Sequence, residues 1–313
     1  MSAVNDTKSN SAVFLLTGIP GQELLHPWIS IPFCLMYVIS IVGNSFILFI
    51  IKSDPNLHEP MYIFLSMLAI TDLGLLLATI PTILGVFLLN SRDISLDACF
   101  AQIFFIHSLQ CIESSVLLLM AFDRFVAICN PLRYTSILTL SRVGKLGLVF
   151  VLRSVTLIFP LPFLLKRYQY CRANVLSHSY CLHQEVMKMA CSDITVNNIY
   201  GLTVAISTMG LDSLLIFLSY VRILKTALSV ASYAECLRTL NTCVSHLCAV
   251  LLFYIPEIGL FSVLTYRFGH HVALHFHVLF ANVCLLVPPM LNPIIFGVRT
   301  KQIRDRLLRH SKL

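Results

Sequence analysis

Apolar residues dominate seven long stretches of this chain, and polar residues fall mostly between them. Each stretch has the roughly 20 residues that a helix needs to cross the hydrocarbon of a bilayer. Proline and glycine inside the stretches are compatible with helices, because neighbouring helices in a membrane satisfy the freed backbone groups. The pattern therefore predicts an all-α membrane protein built as a seven-transmembrane helix bundle. The expected helices span residues 27–51, 61–89, 99–129, 145–165, 197–220, 240–263 and 272–298.

The basic residues indicate which side of the membrane each connection faces. With residues 1–26 as an extracellular tail, the inner connections and the cytoplasmic tail 299–313 carry about twice as many lysines and arginines as the outer connections. Asn5 begins an Asn-Asp-Thr glycosylation acceptor in the extracellular tail. Residues 301–308 alternate basic and apolar positions, which predicts a short interfacial helix on anionic membrane lipid.

Composition excludes a soluble domain. Hydrophobic residues make up 57% of the chain and charged residues only 12%, whereas about a quarter of a typical soluble domain is charged. The net charge of +7 lies in short clusters between the apolar stretches, so it indicates a membrane protein and no nucleic-acid partner. The 11 cysteines show no metal-binding spacing, and they therefore predict no cofactor.

The third stretch ends in the run MAFDRFVAICNPLRY, residues 120–134, which places Asp123 and Arg124 at the membrane edge. Such a pair is either an anchor at the helix end or a conformational switch. The run resembles the MAYDRYVAICNPLRY stretch of olfactory receptors, which are rhodopsin-like G-protein-coupled receptors. The resemblance spans nearly the whole chain. Residues 18–21, 130–134 and 301–304 resemble the class I, or fish-like, subset, which is associated with polar odorants such as carboxylic acids.

The resemblance implies a multi-pass receptor of the plasma membrane that is not an enzyme. A small polar odorant would bind within the bundle, and the inner side would activate a stimulatory olfactory-type heterotrimeric G protein, which raises cyclic AMP. The ion pair at the membrane edge would act as a latch from which the sixth helix swings away. The residues implied in this switch and in G-protein coupling are Asp123, Arg124, Ile128, Tyr220 and His246.

A polar stripe on the third stretch is the expected ligand wall. Its members share one helix face, as a small-ligand pocket requires, although such side chains also bond neighbouring helices. Glu257 would repel a carboxylate ligand, and Arg267 lies further from Pro256 than the basic residue typical of class I receptors. The stripe consists of His107, Gln110, Cys111 and Ser114, and the resemblance adds His183 and Gln184 as a lid, Tyr254, Ile258 and Phe261 as the opposite wall, and Arg267.

Acidic and amide side chains at mid-membrane depth form a second predicted site. Two carboxylates at similar depth repel unless a cation or a proton lies between them. By resemblance this site is the sodium-linked polar core of the family. A sodium ion bound at Asp72 and Glu113 and a hydrogen-bonded network without an ion remain alternatives. The predicted members are Asn44, Asp72, Glu113 and Asn292.

The long connection after the fourth stretch carries three cysteines, and the oxidising exterior allows them to pair. Spacing alone leaves the connectivity open. By resemblance, Cys99 pairs with Cys181, and Cys171 pairs with Cys191.

Three other classes of function are alternatives to an olfactory receptor. A transporter or proton carrier could use Asp72, Glu113, Glu257 and the histidines as a relay, but the chain lacks the internal repeats of transporters. An intramembrane enzyme lacks a zinc-type motif or a nucleophile–base pair. A seven-helix receptor for a peptide, amine or metabolite outside the nose is a further alternative, which tissue of expression would distinguish and the sequence does not. Arg153, within the fourth stretch, needs a partner that the sequence does not name.

Overall fold

The computed structural model describes residues 13–19, 21–170, 174–229, 233–264 and 274–310 of the chain. Helices account for most of them, and three short strands lie near one end of the bundle. The helices are α1 (His26–Ser53), α2 (Pro60–Phe87), α3 (Leu96–Cys129), α4 (Tyr134–Ile137), α5 (Leu140–Ile158), α6 (Pro160–Lys166), α7 (His183–Lys188), α8 (Thr195–Ala205), α9 (Leu211–Leu228), α10 (Tyr233–Leu264), α11 (Leu274–Arg299) and α12 (Lys301–His310). Short 3-10 turns lie at Glu23–Leu25, Pro55–Leu57 and Pro131–Arg133.

Six helical segments of the described chain are long and apolar enough to cross a membrane, and α10 carries a shorter apolar part, Cys243–Glu257. Helix α3 is central, since it contacts α2, α5, α9 and α10. Large apolar side chains point outward, as with Trp28 at 72% exposure and Leu77 at 70%, whereas Asn44 and Asp72 are buried. An apolar exterior around a polar interior is the arrangement of a bundle surrounded by lipid.

Two of the membrane segments are interrupted. Pro160 begins α6 directly after α5, because a proline lacks the N–H that would continue the hydrogen-bond ladder of α5. The fifth segment contains a π-helical turn, Ile206–Gly210, between α8 and α9. Turns of this kind are often found at functional sites.

Several helices extend beyond the apolar stretches that predicted them. Helix α3 begins at Leu96, where Ser95 Oγ accepts a hydrogen bond from the Ala98 N–H at 3.3 Å. Helix α9 continues to Leu228, and α10 already begins at Tyr233. Hydropathy marks only the part of a helix inside the hydrocarbon, whereas helical hydrogen bonds continue through polar residues at the membrane edge.

The expectation of an all-α chain holds for the membrane-spanning part but omits a small sheet. Strand β1 (Val13–Leu16) pairs antiparallel with β2 (Asp93–Ser95) and parallel with β3 (Val175–Leu176). Phe14 and Leu16 are buried, so the end of the predicted N-terminal tail packs against the bundle. The apolar run around β1 shows no alternation that would identify a strand, and its partners lie in distant connections.

The two ends of the bundle are distinguished by their chemistry. A disulfide joins Cys99, in the first turn of α3, to Cys181 in the connection before α7. This is called the disulfide end. The other end of α3 carries Asp123 and Arg124, and it is called the Arg124 end.

Candidate functional site

A cavity of about 460 Å³ lies inside the bundle toward the disulfide end. Its volume falls in the range of roughly 300–1,000 Å³ that is typical of small-molecule sites. Helices α3, α8, α10 and α11 contribute walls, and the connection that contains α7 contributes a cover. The predicted ligand residues that line it are His107, Gln110, Cys111, His183 and Gln184.

The connection between α6 and α8 is held against the bundle by hydrogen bonds. The Cys181 N–H donates to Gln102 Oε1 on α3 at 2.9 Å, and Ser179 Oγ donates to Asn282 Oδ1 on α11 at 2.7 Å. The Cys99–Cys181 disulfide adds a covalent tie at the same place. Together these contacts fix the cover of the cavity, which we call the lid (residues 174–188), to two helices.

Two histidines lie at the lid end of the cavity. The rings of His107 on α3 and His183 on α7 are nearly perpendicular, with centroids 6.1 Å apart. His183 Nε2 lies 3.2 Å from Asn197 Oδ1 on α8. Burial lowers the pKa of His183 from its usual 6.5 to about 4, so the lid presents a neutral ring to the cavity at neutral pH.

An acidic side chain also lines the cavity. Glu257 on α10 accepts a hydrogen bond at Oε1 from Gln110 Nε2 on α3, at 2.7 Å. The sequence identified Glu257 as an unusual residue after Pro256 that would repel a carboxylate ligand, but it did not show that Glu257 lines the cavity or pairs with Gln110. Its position follows from helix α10 facing α3 across the cavity, which periodicity along one segment cannot reveal.

Cys111 and Thr208 form the floor of the cavity. Cys111 Sγ lies 3.6 Å from Thr208 Oγ1 on the π-helical turn, and both residues line the cavity. Ser114 and Tyr254, which we predicted as ligand contacts, are not among the lining residues of the described part of the chain. Ser114 lies one helical turn deeper, where its Oγ is 2.7 Å from Tyr254 OH.

Below the floor, an ion pair with a fully buried acid joins four segments. Arg153 Nη2 on α5 lies 2.7 Å from Asp212 Oδ2 on α9. The same carboxylate oxygen accepts hydrogen bonds from Ser114 Oγ at 3.1 Å and Ser115 Oγ at 3.2 Å, and Ser114 continues to Tyr254 on α10. The sequence predicted no partner for Arg153, and Asp212 was not predicted as a site residue. The pairing could have been suspected from the sequence, because Arg153 and Asp212 are isolated charges in two apolar stretches and each needs a partner in a membrane.

Three predicted ligand residues cannot be placed. The side chains of Ile258 and Phe261 lie outside the described part of the structure, and so does all of Arg267. Their roles remain predictions.

The predicted polar core is assembled from α1, α2, α3 and α11. Asn292 Nδ2 donates to Asp72 Oδ2 at 3.0 Å, and Asn44 Nδ2 donates to the Pro289 carbonyl at 2.9 Å. Glu113 is also buried and interacts with both Asp72 and Asn292. Asp72 Oδ1 has no hydrogen-bond partner among the described residues. An unpartnered carboxylate oxygen beside a second acid fits a small hard cation such as sodium, which takes oxygen ligands.

Among the described residues, no group of three or more histidine, cysteine, aspartate or glutamate side chains is arranged to hold a metal ion.

At the Arg124 end, Asp123 is fully buried and holds two partners. Arg124 contacts Asp123 Oδ2 through Nε at 2.9 Å and Nη2 at 2.5 Å. Tyr134 OH, on α4, donates to Asp123 Oδ1 at 2.7 Å. The predicted latch is therefore closed in this structure, and Tyr134 is an additional member that the sequence reading did not name.

A second polar link at this end joins α9, α10 and α3. Tyr220 OH lies 2.5 Å from His246 Nδ1, and His246 Nε2 lies 2.9 Å from the Leu117 carbonyl. The carbonyl can only accept, so Nε2 carries the proton and Nδ1 accepts from Tyr220. Arg124 and His246 line a cavity of about 350 Å³ at this end. Ile128 is half-buried on the following turns of α3.

Comparison with known proteins decides the family. A sequence profile described as olfactory receptor matches residues 33–311. The chain belongs to the olfactory receptor family. Olfactory receptor 51G2 of Homo sapiens is 62% identical over 303 residues, which cover 97% of this chain and 96% of that protein. Olfactory receptor 51G1 of Homo sapiens is 58% identical over 309 residues, covering 99% and 96%.

The fold of this olfactory receptor agrees with a solved structure. The crystal structure of squid rhodopsin matches with a TM-score of 0.75 at 16% identity, covering 92% of this chain and 80% of that one. At this identity the match shows the fold alone, which is a seven-transmembrane bundle. The family membership makes the protein a multi-pass plasma-membrane receptor that responds to odorants through a G protein, and not an enzyme.

The disulfides of the receptor are visible in part. The Cys99–Cys181 pairing implied by the resemblance is present. Cys191 is disulfide-bonded, and Cys171, its implied partner, lies outside the described residues, as does Asn5 of the glycosylation acceptor.

Proposed function

We propose that this receptor binds a small polar odorant in the 460 Å³ cavity under the lid and activates a stimulatory olfactory-type heterotrimeric G protein, raising cyclic AMP. The observation that carries the proposal is the cavity itself. It is lined by polar groups from α3, α7 and α10 among mainly apolar side chains, which is the composition expected of a small-molecule site. Class I membership, and with it a preference for polar odorants, is supported by residues 18–21, 130–134 and 301–304.

The disulfide end faces the exterior and the Arg124 end faces the cytoplasm in this proposal. Support comes from the excess of lysine and arginine in the connections of the Arg124 end. Helix α12 lies at the same end, where Arg306 Nη2 contacts Asp54 Oδ2 at 2.5 Å and Ile303 is buried. Its remaining basic residues would meet anionic lipid headgroups at the inner surface.

The switch works by population shift. An odorant can favour the signalling state only if it binds that state better than the closed one. In the closed state described above, Asp123 holds Arg124, and His246 ties α10 to α3 and α9. Movement of α10 away from α3 would break the His246 contacts and uncover Arg124 and Ile128 for the G protein.

The polar core would hold this closed packing. Asp72 and Glu113 would ligate a sodium ion, with Asn292 orienting Asp72 and Asn44 joining α1 to α11. The ion would neutralise the two buried acids. A proton shared between the acids is the alternative state of the same site.

A cyclic AMP assay tests the proposal. Cells expressing the receptor are exposed to short and medium alcohols, amines and carboxylic acids, and surface expression is measured in parallel. We expect a dose-dependent response that Arg124→Ala abolishes. Arg92→Ala is the matched control, because the Arg92 side chain hydrogen-bonds Asn90 at the disulfide end, at the opposite end of the bundle from Arg124. An Arg124→Ala receptor that signals normally would exclude the latch, and silence toward every compound despite normal surface expression would contradict the ligand site.

A further inference from the structure

The chemistry of the cavity indicates the charge of its ligand. Glu257 lines the cavity, is only half-buried, and has Gln110 as its hydrogen-bond partner. No ion pair involving Glu257 occurs within the described residues, although Asp123, Asp212 and Glu185 each pair with a basic side chain. A charged carboxylate without a cation is costly in a low-dielectric site, so the group either binds a proton or pairs with a positively charged ligand.

The part of the cavity that the structure describes supplies no free cation to Glu257. The base near the floor, Arg153, is already paired with Asp212. No lysine or arginine is among the cavity-lining residues that the structure describes. An anionic ligand would therefore meet a like charge, and a cationic one would meet an unpaired opposite charge.

The other polar groups of the cavity are suited to the same kind of ligand. The His183 ring is neutral at neutral pH, so it adds no positive charge. Tyr180 is among the lining residues, and aromatic side chains can attract ammonium groups. Away from Glu257, the lining is apolar and would pack an alkyl chain; it includes Ile158, Leu161, Leu182, Val204 and Met209.

We propose that the odorant of this receptor is a protonated aliphatic amine whose ammonium group binds Glu257, with its alkyl chain among the apolar residues of the cavity. The proposal rests on the odorant-receptor function above and names the ligand class of the same cavity. Gln110 positions the carboxylate through its amide N–H. The ligand class thus differs from the carboxylic acids associated with the resemblance.

The test compares a straight-chain amine, alcohol and carboxylic acid of equal chain length on the intact receptor. Binding is read as the thermal shift of the purified receptor, and signalling is read as cyclic AMP in cells. We expect the amine to be the most potent of the three. Glu257→Gln should reduce amine potency by about tenfold or more, in line with the loss of a buried charge pair, and should leave the alcohol nearly unchanged. Asp97→Asn is the matched control, because Asp97 pairs with Lys166 outside the lid and is not among the residues that line the cavity.

The outcomes separate the two proposals. An amine that stabilises the purified receptor without raising cyclic AMP would support the ligand class and contradict the signalling proposal. Alcohols or acids that signal while the amine neither binds nor signals would overturn the ligand class and leave the signalling proposal standing. An amine potency that is the same in Glu257→Gln as in the wild type would also overturn the proposed ligand class. If Glu257→Gln does not reach the cell surface, the comparison of amine, alcohol and acid on the wild-type receptor still tests the ligand class. A preference for the acid overturns the proposal.

Discussion

Arg153 Nη2 lies 2.7 Å from Asp212 Oδ2, midway along the fourth and fifth membrane segments. The pair is directly below the cavity floor, and through Ser114 it reaches Tyr254 on α10. It therefore connects the wall of the ligand cavity to the helix proposed to move.

Replacing Arg153 with methionine should destabilise the receptor strongly. Asp212 would remain fully buried without its cation, and breaking a buried pair in this way costs about 3–5 kcal/mol. The expected result is a lower melting temperature of the purified protein and less receptor at the cell surface. The double variant Arg153→Met with Asp212→Asn should recover much of the loss, since no unpaired charge remains. A single variant as stable as the wild type would show that Asp212 is not charged in the folded receptor.

Removing one hydroxyl should raise basal signalling. Tyr134→Phe deletes the hydrogen bond to Asp123 Oδ1 and leaves the Asp123–Arg124 contact in place. A hydrogen bond to a charged group contributes about 1.5–3 kcal/mol, so the closed state should lose roughly tenfold or more in relative population if the bond exists only there. Cyclic AMP without ligand, normalised to surface expression, measures the effect. Tyr168→Phe, on the other side of the membrane, is the control, and equal basal signalling in the two variants would argue against a role of Tyr134 in the latch.

Sodium should favour the closed state if it occupies the polar core. Replacing sodium in the medium by a bulky organic cation at constant ionic strength should increase basal signalling of membranes that contain the wild-type receptor. Asp72→Asn should remove this dependence, because it removes a charge that faces Glu113. If basal signalling of Asp72→Asn still depends on sodium, the ion acts at another site, and the polar core is a hydrogen-bonded network without sodium.

Acid should loosen the lid. Burial lowers the pKa of His178 and of His183 from 6.5 to about 4. The unfolded chain therefore binds protons more readily than the folded one, so stability is present above about pH 6.5 and is lost as the pH falls toward 4. The melting temperature of the purified receptor should drop between about pH 7 and about pH 5. Changing both histidines to glutamine should flatten this dependence, and a wild-type melting temperature that does not change with pH would contradict the burial of these rings.

Local sequence patterns predicted the helices and part of the site. Helical periodicity placed His107, Gln110 and Cys111 on one face, and all three line the cavity. The same periodicity included Ser114, which lies about 4.5 Å deeper along the helix axis than Cys111 and so passes below the floor. Periodicity identifies a face of a helix, but it does not give the depth at which a cavity on that face ends.

Partnerships between segments could not be predicted in this way. The pairing of Arg153 with Asp212 and of Gln110 with Glu257 depends on how the helices rotate against each other. Strand β1 depends on two connections far along the chain for its hydrogen bonds. The sequence supplied the charged and polar side chains in each case, and the packing of the bundle determined which of them meet.

The central claim is that the cavity under the lid is where a ligand acts. Two adjacent residues of the fifth segment test it, since Ala205 lines the cavity and Ile206 is 61% exposed on the outer surface. Ala205→Trp would fill the cavity, and Ile206→Trp would place the same ring against lipid. We predict that Ala205→Trp abolishes the ligand-stimulated rise in cyclic AMP at normal surface expression, while Ile206→Trp responds like the wild type. An Ala205→Trp receptor with an unchanged dose–response curve would contradict the account.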